Sequence, residues 1–263
     1  MALEKASGII IRLSDYSETS QIVTFLTDTH GKVSAIAKGA KRAKSATGGA
    51  MDLLTLNEIV FSPSASGGLG TLREARTTAQ YPGLRKSTQK YYAGLYFAEL
   101  AGIFGEGSEG SQAHYEVLKE TLEALDEGKI SDWNLTAYFE SHILAASGLE
   151  PNLTNCARCG SEAGEGTTRM SLEEGGILCG RCQGGREIDK GSLATLRKVF
   201  STGLLTAGRL KIPEQTRRVI GGLLTALVLH GAGRAPRLTK YVKGEYGRQW
   251  RRWAGETPVS EGS

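Results

Sequence analysis

The 263 residues suffice for roughly one large domain or two to three small ones with a hydrophobic core, so covalent staples are not required for folding. A net charge of +4 is too small to mark a polyanionic partner by itself. The most apolar run, VIGGLLTALVLHGAG at 219–233, falls short of the ~18 apolar residues of a membrane span and carries glycines and a histidine, so it reads as a core helix.

The first stretch, MALEKASGIIIRLSDYSETS, has no apolar run long enough for a secretory leader, and the chain reads as cytoplasmic. GIIIRL, SQIVTFLT, KVSAIAKG, LLTLNEIVFS and GTLREARTT then alternate with a period near two, and Gly, Asp, Ser and Pro separate them. Five short strands with no helical pattern between them predict a small barrel, with the OB-fold as the leading candidate. Beyond YPGLRKS the period becomes helical. KYYAGLYFAELAGIF places Tyr92, Leu95, Tyr96, Leu100 and Ile103 on one stripe, and the next segment does the same with Tyr115, Leu118, Leu122 and Leu125. WNLTAYFESHILAASGLEP stops at Gly148 and Pro151. The region 155–188 lacks helical periodicity. Helices resume at DKGSLATLRKVF, with Ser192 as the expected N-cap, and at PEQTRRVIGGLLTALVLHG, with Pro213 in the first turn.

Cys156, Cys159, Cys179 and Cys182 form two C-x2-C pairs separated by nineteen residues, a spacing that suits zinc. A tight turn presents both sulfurs of a pair to one ion, and Gly160 and Gly180 are placed to supply positive φ. Four thiolates fill a tetrahedral shell and leave no place for water or substrate, which favours structural Zn²⁺ over an open catalytic site. Disulfides are disfavoured in a reducing compartment, and a redox pair or an empty site are the lesser alternatives. Arg158, Arg169, Arg181 and Arg186 give such a ribbon a route to nucleic acid, beside its plainer role as a brace.

Charge is unevenly distributed. Residues 99–132 hold nine carboxylates against Lys119 and Lys129, whereas KGAKRAK holds four cations and no anion. Lys38, Lys41, Arg42 and Lys44 in that loop would neutralise phosphates if it lies along a polyanion, although many charge runs are simply solvated. From 234 to 253, seven cations face only Glu245. There Arg237, Lys240, Lys243, Arg248, Arg251 and Arg252 interleave with Tyr241, Tyr246, Trp250 and Trp253, so base stacking and packing on the protein surface are both open. No phosphate-cradling G-x-x-x-x-G-K-[ST] loop is present, and His30, His114, His142 and His230 show no ligand spacing. Asp15, Glu18 and Asp28 are the one set of carboxylates that would suit a nuclease if they converged.

Taken in order, GIIIRLSDYSETSQIVTFLTDTHGKVSAIAKGAKRAKS resembles the N-terminal signature of the bacterial DNA repair family RecO: a hydrophobic strand with an arginine, a Y-x-E-x-S turn, a strand ending before HG, and A-x-A-K-G-A-K-R. The likeness continues through YYAGLYFAEL, ILAASGLEPNLTNCARCG and the four cysteines, from Gly8 to about Leu229. The resemblance implies an α+β chain: a five-stranded OB-fold barrel (1–82), an α-helical bundle (83–152 and 189–240), a zinc-ribbon insert (153–188) and a basic tail (241–263). It further implies a non-enzymatic recombination mediator that binds single- and double-stranded DNA, anneals complementary strands and, with RecR, helps RecA displace single-stranded DNA-binding protein. The family's basic barrel surface falls on Lys38, Lys41, Arg42 and Lys44, and Arg12 matches its first-strand arginine. Relatives hold the acidic tail of single-stranded DNA-binding protein in the helical module, where Arg197, Lys198, Arg217 and Arg218 are candidate cations. The implied location is cytoplasmic and nucleoid-associated. A zinc-ribbon scaffold for protein partners, with no direct DNA role, is the alternative.

Overall fold

The computed structural model describes every residue except 1–2, 43–44, 46–48, 50, 65–67, 106–110, 163–166, 243–252 and 254–263. The strand pattern yields β1 (Glu4–Asp15), β2 (Gln21–Thr27), β3 (Gly31–Ala37), β4 (Leu56–Ser62) and β5 (Gly70–Ala79). They close a barrel in the order β1-β2-β3-β5-β4, antiparallel throughout except for β3–β5. This is the OB-fold the strand pattern predicted. Ile10, Val23, Phe25, Ala35, Ala37, Ile59, Phe61 and Leu72 fill its interior. Strand β1 can pair with both β2 and β4 because it bends at a register shift between Ile10 and Arg12. At Gly8, which pairs with Thr27 and Asn57, a Cβ would stand 3.1 Å from that of Phe25, so a glycine lets the two strands approach.

Two compact units are present, Met1–Lys129 and Ile130–Ser263. In the first, α1 (Thr88–Phe104) and α2 (Ser111–Glu127) pack against each other and against the outside of the barrel. Helix α2 buries Tyr115, Leu118, Leu122 and Leu125, the stripe its periodicity predicts. Helix α1 departs from expectation. It buries Ala93, Tyr96, Phe97, Ala98, Leu100 and Ala101, while Tyr92, Leu95 and Ile103 are only half-buried. The reason is that α1 has barrel on one side and α2 on another, which spreads burial around the helix. The Tyr115 hydroxyl pairs with Ser7 at 2.9 Å, and the Lys32 ammonium donates to the Gly102 carbonyl at 3.3 Å. The helices thus cover the β1–β2–β3 outer face at its Leu26–Lys32 end.

The second unit contains α3 (Asp132–Ala146), α4 (Lys190–Ser201), α5 (Leu204–Gly208), α6 (Glu214–Ala232) and α7 (Thr239–Val242). The apolar run at 219–233 forms α6, with Ile220, Leu223, Leu224, Ala226 and Val228 buried, and it ends at Gly233 in the left-handed region (φ 63°). The N-cap of α4 is Asp189 rather than Ser192. The Asp189 carboxylate accepts the Ser192 N–H at 2.8 Å, which places Ser192 inside the first turn. Between α3 and α4, β6 (Arg169–Ser171), β7 (Gly176–Leu178) and β8 (Arg186–Glu187) form a small sheet in the order β7-β6-β8. No helix of the described residues is long and apolar enough to cross a membrane.

Candidate functional site

The four cysteines converge. Their sulfurs all lie within 4.8 Å of one another, none is in a disulfide, and those of Cys159 and Cys179 are 3.7 Å apart. Among the described residues, they are the only group of three or more His, Cys, Asp and Glu side chains placed to hold a metal ion. The first knuckle closes through the Gly160 N–H on the Cys156 carbonyl (2.8 Å), with Gly160 at φ 71° as its sequence predicts. The second knuckle differs. Gly180 has no positive φ; the turn closes through Cys182 N–H on the Cys179 carbonyl at 3.2 Å, and the left-handed positions move to Gly184 and Gly185.

In each pair the leading cysteine is readied to be a thiolate. The Cys156 thiol is held low by the N–H groups of Cys179, Cys159 and Arg158, and the Cys179 thiol by the Arg181 N–H, the Ser161 hydroxyl and the Cys182 N–H. Cys182 is pushed up because it shares hydrogen bonds with Cys159 and is also shielded from water. A metal ion bound here would take the sulfurs as thiolates, so its binding would release protons.

The four ribbon arginines divide into two kinds. Arg158 reaches Glu174 Oε1 with Nε and Nη2 (3.1 and 2.7 Å) and the Gln183 carbonyl with Nη1 (2.8 Å). Arg169 donates to the Cys182 carbonyl at 3.5 Å. Both are therefore occupied in bracing the second knuckle, whereas Arg181 and Arg186 are exposed. Nothing in the local pattern around Glu174 marks it as the partner of Arg158.

On the barrel, Arg12 is exposed opposite Thr24 of β2, and Lys38, Lys41 and Arg42 are exposed just after β3. Lys44 lies outside the described residues. Lys41 is not a free cation: its ammonium stands 2.7 Å from Asp15 Oδ1. Its N–H also donates to the Thr19 carbonyl at 3.0 Å, and the Gly39 N–H to the Ser20 hydroxyl at 3.2 Å, so the basic loop is tied to the β1–β2 turn. The carboxylates Asp15, Glu18 and Asp28 do not converge. Asp15 and Glu18 are at one end of the β1–β2 hairpin, while Asp28 is at the other and accepts the Ser7 N–H at 3.0 Å.

The helical cations are also sorted by their partners. Arg197 donates to the Leu153 carbonyl at 2.7 Å, and Arg218 pairs with Glu214 at 3.3 Å. Arg217 lies 5.7 Å over the Trp133 ring and lines a pocket with Arg209, Lys211 and Ile212; Lys198 is exposed. For Trp253 the structure selects packing: it is 8% exposed and lines a cleft with Met170, Ala226 and Leu229. Arg237, Lys240 and Tyr241 are exposed, and Lys243, Tyr246, Arg248, Trp250, Arg251 and Arg252 lie outside the described residues.

Comparison with known proteins matches both halves of the chain. Residues 1–81 match the family described as "Recombination protein O N terminal" and residues 85–240 that described as "Recombination protein O C terminal". The chain is 34% identical over 234 residues to the DNA repair protein RecO of Anaeromyxobacter sp. (strain K), covering 88% of this chain and 92% of the relative. It is 31% identical to that of Roseiflexus sp. (strain RS-1) over 242 residues, 90% of this chain and 84% of the relative. With that of Bacillus subtilis (strain 168) it shares 32% over 180 residues, 68% of this chain and 69% of the relative. A five-stranded OB barrel, a helical region with a four-cysteine module and matches along nearly the whole length place this chain in the RecO family of DNA repair proteins.

Proposed function

We propose that this chain serves DNA repair and homologous recombination as a mediator that binds single- and double-stranded DNA, anneals complementary strands and helps load RecA onto strands coated by single-stranded DNA-binding protein. The observation that carries this reading is the closed OB barrel with exposed Arg12, Lys38 and Arg42 around a turn tied to the basic loop. Cations on such a surface offset repulsion between two phosphate backbones as strands meet, so the work is electrostatic and the protein makes or breaks no bond. RecR and the acidic tail of single-stranded DNA-binding protein are the proposed protein partners. The pocket bearing Arg209, Lys211 and Arg217 supports the second of these, because it combines positive charge with an apolar wall at Ile212. The setting is the cytoplasm, at the nucleoid.

Zinc is the metal proposed for Cys156, Cys159, Cys179 and Cys182. All-thiolate donors at this spacing suit Zn²⁺, whose closed shell would hold the module together and take no part in DNA chemistry.

Annealing of complementary oligonucleotides, one precoated with single-stranded DNA-binding protein, tests the reading in the absence of nucleotide at several salt concentrations. Acceleration that fades with salt while strand lengths stay intact is the expected result; no acceleration at any salt, or shortened strands, overturns it. Because Lys41 already has Asp15 as a partner, Lys38→Glu with Arg42→Glu should weaken DNA binding more than Lys41→Glu alone. Loss of two phosphate contacts would lower the salt slope on single strands by about 1.4.

A further inference from the structure

Beyond its cations, the barrel displays an aromatic side chain that the DNA-binding reading has not used. Tyr16 follows β1 directly and is 60% exposed, and among the described residues its ring and hydroxyl have no partner. A single exposed tyrosine is ordinary on a protein surface; what marks Tyr16 is its place beside the barrel's cations.

Strand register locates Tyr16. The last ladder row across the first three strands is Asp15–Gln21–Ala37, so the next row is Tyr16–Ser20–Lys38. Two bonds support this continuation: the Tyr16 N–H donates to the Ser20 carbonyl at 3.0 Å, and the Gly39 N–H reaches the Ser20 hydroxyl at 3.2 Å. Side chains alternate along a strand, and Leu13, Val23 and Ala35 face the core. Arg12, Ser14 and Tyr16 therefore share the outer face with Ile22, Ile36 and Lys38. Strand spacings put Tyr16 roughly 13 Å from Arg12 along β1 and roughly 10 Å from Lys38 across the sheet. Ile22 and Ile36, both half-buried, lie between them. The helices reach this face at its opposite end, at Leu26 and Lys32, and also at Ile11 beside Arg12.

We propose that Tyr16 is a base-stacking residue, and that Arg12, Tyr16, Ile22, Ile36 and Lys38 form a strip that takes the unpaired bases and backbone of single-stranded DNA. The proposal rests on the DNA-binding reading above and adds a preference for single strands. A duplex presents phosphates but keeps its base faces stacked, so it engages the cations and leaves the ring unused; a single strand engages both. The turn that carries Tyr16 is set in advance by the Ser17 N–H on the Ser20 carbonyl (3.2 Å) and the Ser20 N–H on the Ser17 hydroxyl (3.2 Å). Little ordering is therefore left to complete on binding. Two carboxylates share this turn. Asp15 is neutralised by Lys41, and Glu18 is exposed at the tip, where it opposes phosphate.

The test is fluorescence anisotropy of the intact chain with a labelled oligo-dT and with a duplex of equal length, for the natural sequence, Tyr16→Ala and Tyr16→Phe. Tyr16→Ala should lose about ten-fold in oligo-dT affinity and stay within about two-fold on duplex, with the salt slope unchanged. Tyr16→Phe should keep most of the natural affinity, since stacking needs the ring and not the hydroxyl. Unchanged oligo-dT affinity in Tyr16→Ala overturns the proposal, as does equal loss on both DNA forms. If the natural chain binds neither form, the DNA-binding reading itself fails.

Discussion

The barrel and the cysteine module solve the same problem, keeping short strands together, by opposite means. The barrel pairs strands of seven to twelve residues around Phe25, Phe61, Ile10 and Ile59, and closure leaves it no free edge between β1 and β4. The cysteine module pairs strands of two or three residues, and the cluster about its sulfurs is Cys156, Leu178 and Cys179, with Cys182 alongside. Leu153, Met170, Ile177 and Ile188 are buried as well, yet strands this short pair few residues, so the sulfurs and the arginine braces add to what burial supplies. Fold stability is thus distributed in the first region and concentrated in a few side chains in the second.

That contrast is open to attack at both ends. Removing the proposed zinc should have the largest effect, because a structural zinc contributes on the order of 10 kcal/mol to a module of this kind. Chelation should bring rapid amide exchange across 155–188 while β1–β5 keep their protection; simultaneous loss in the barrel would show that the two regions are not independent. Next comes Phe61→Ala, which removes a ring 2% exposed from the barrel core. It should cost about 3–5 kcal/mol in barrel stability and leave metal content unchanged. Denaturant unfolding alongside metal analysis checks both halves of that expectation.

A smaller effect sharpens the picture of the cysteine module. Arg158→Ala frees Glu174 and the Gln183 carbonyl, so the second knuckle should hold its ion less tightly, by about ten-fold as read from competition with a colorimetric chelator. Metal release at the natural rate would mean that the sulfurs alone organise the cage. Smallest is Asp189→Ala, which removes the α4 cap and should cost about 1 kcal/mol by thermal unfolding of the second unit, whereas Ser192→Gly should not remove a capping bond.

Legibility followed the range of the interactions. The five strands were readable because alternation and turn residues are local, and α2 because its apolar stripe meets one surface. The stripe assigned to α1 misled because that helix has two neighbours, which no single period encodes. The α4 cap was read three residues late, since Asp and Ser both suit the position and the choice depends on backbone geometry. Cysteine spacing pointed to the four side chains that converge, but not to which glycines bend each knuckle.

What the sequence determined by itself were the elements and the cysteine pairs: strand alternation, the α2 stripe, two C-x2-C motifs and the ordered signature of the family all arise from neighbours along the chain. Only the tertiary structure decided which charges are available. Asp15 claims Lys41, Glu174 claims Arg158, the Trp133 ring lies beneath Arg217, and Trp253 is buried while Tyr16 is left exposed. Each of these partners is distant in sequence and is brought into place by folding, and the energy of a charge or a ring depends on what finally stands beside it.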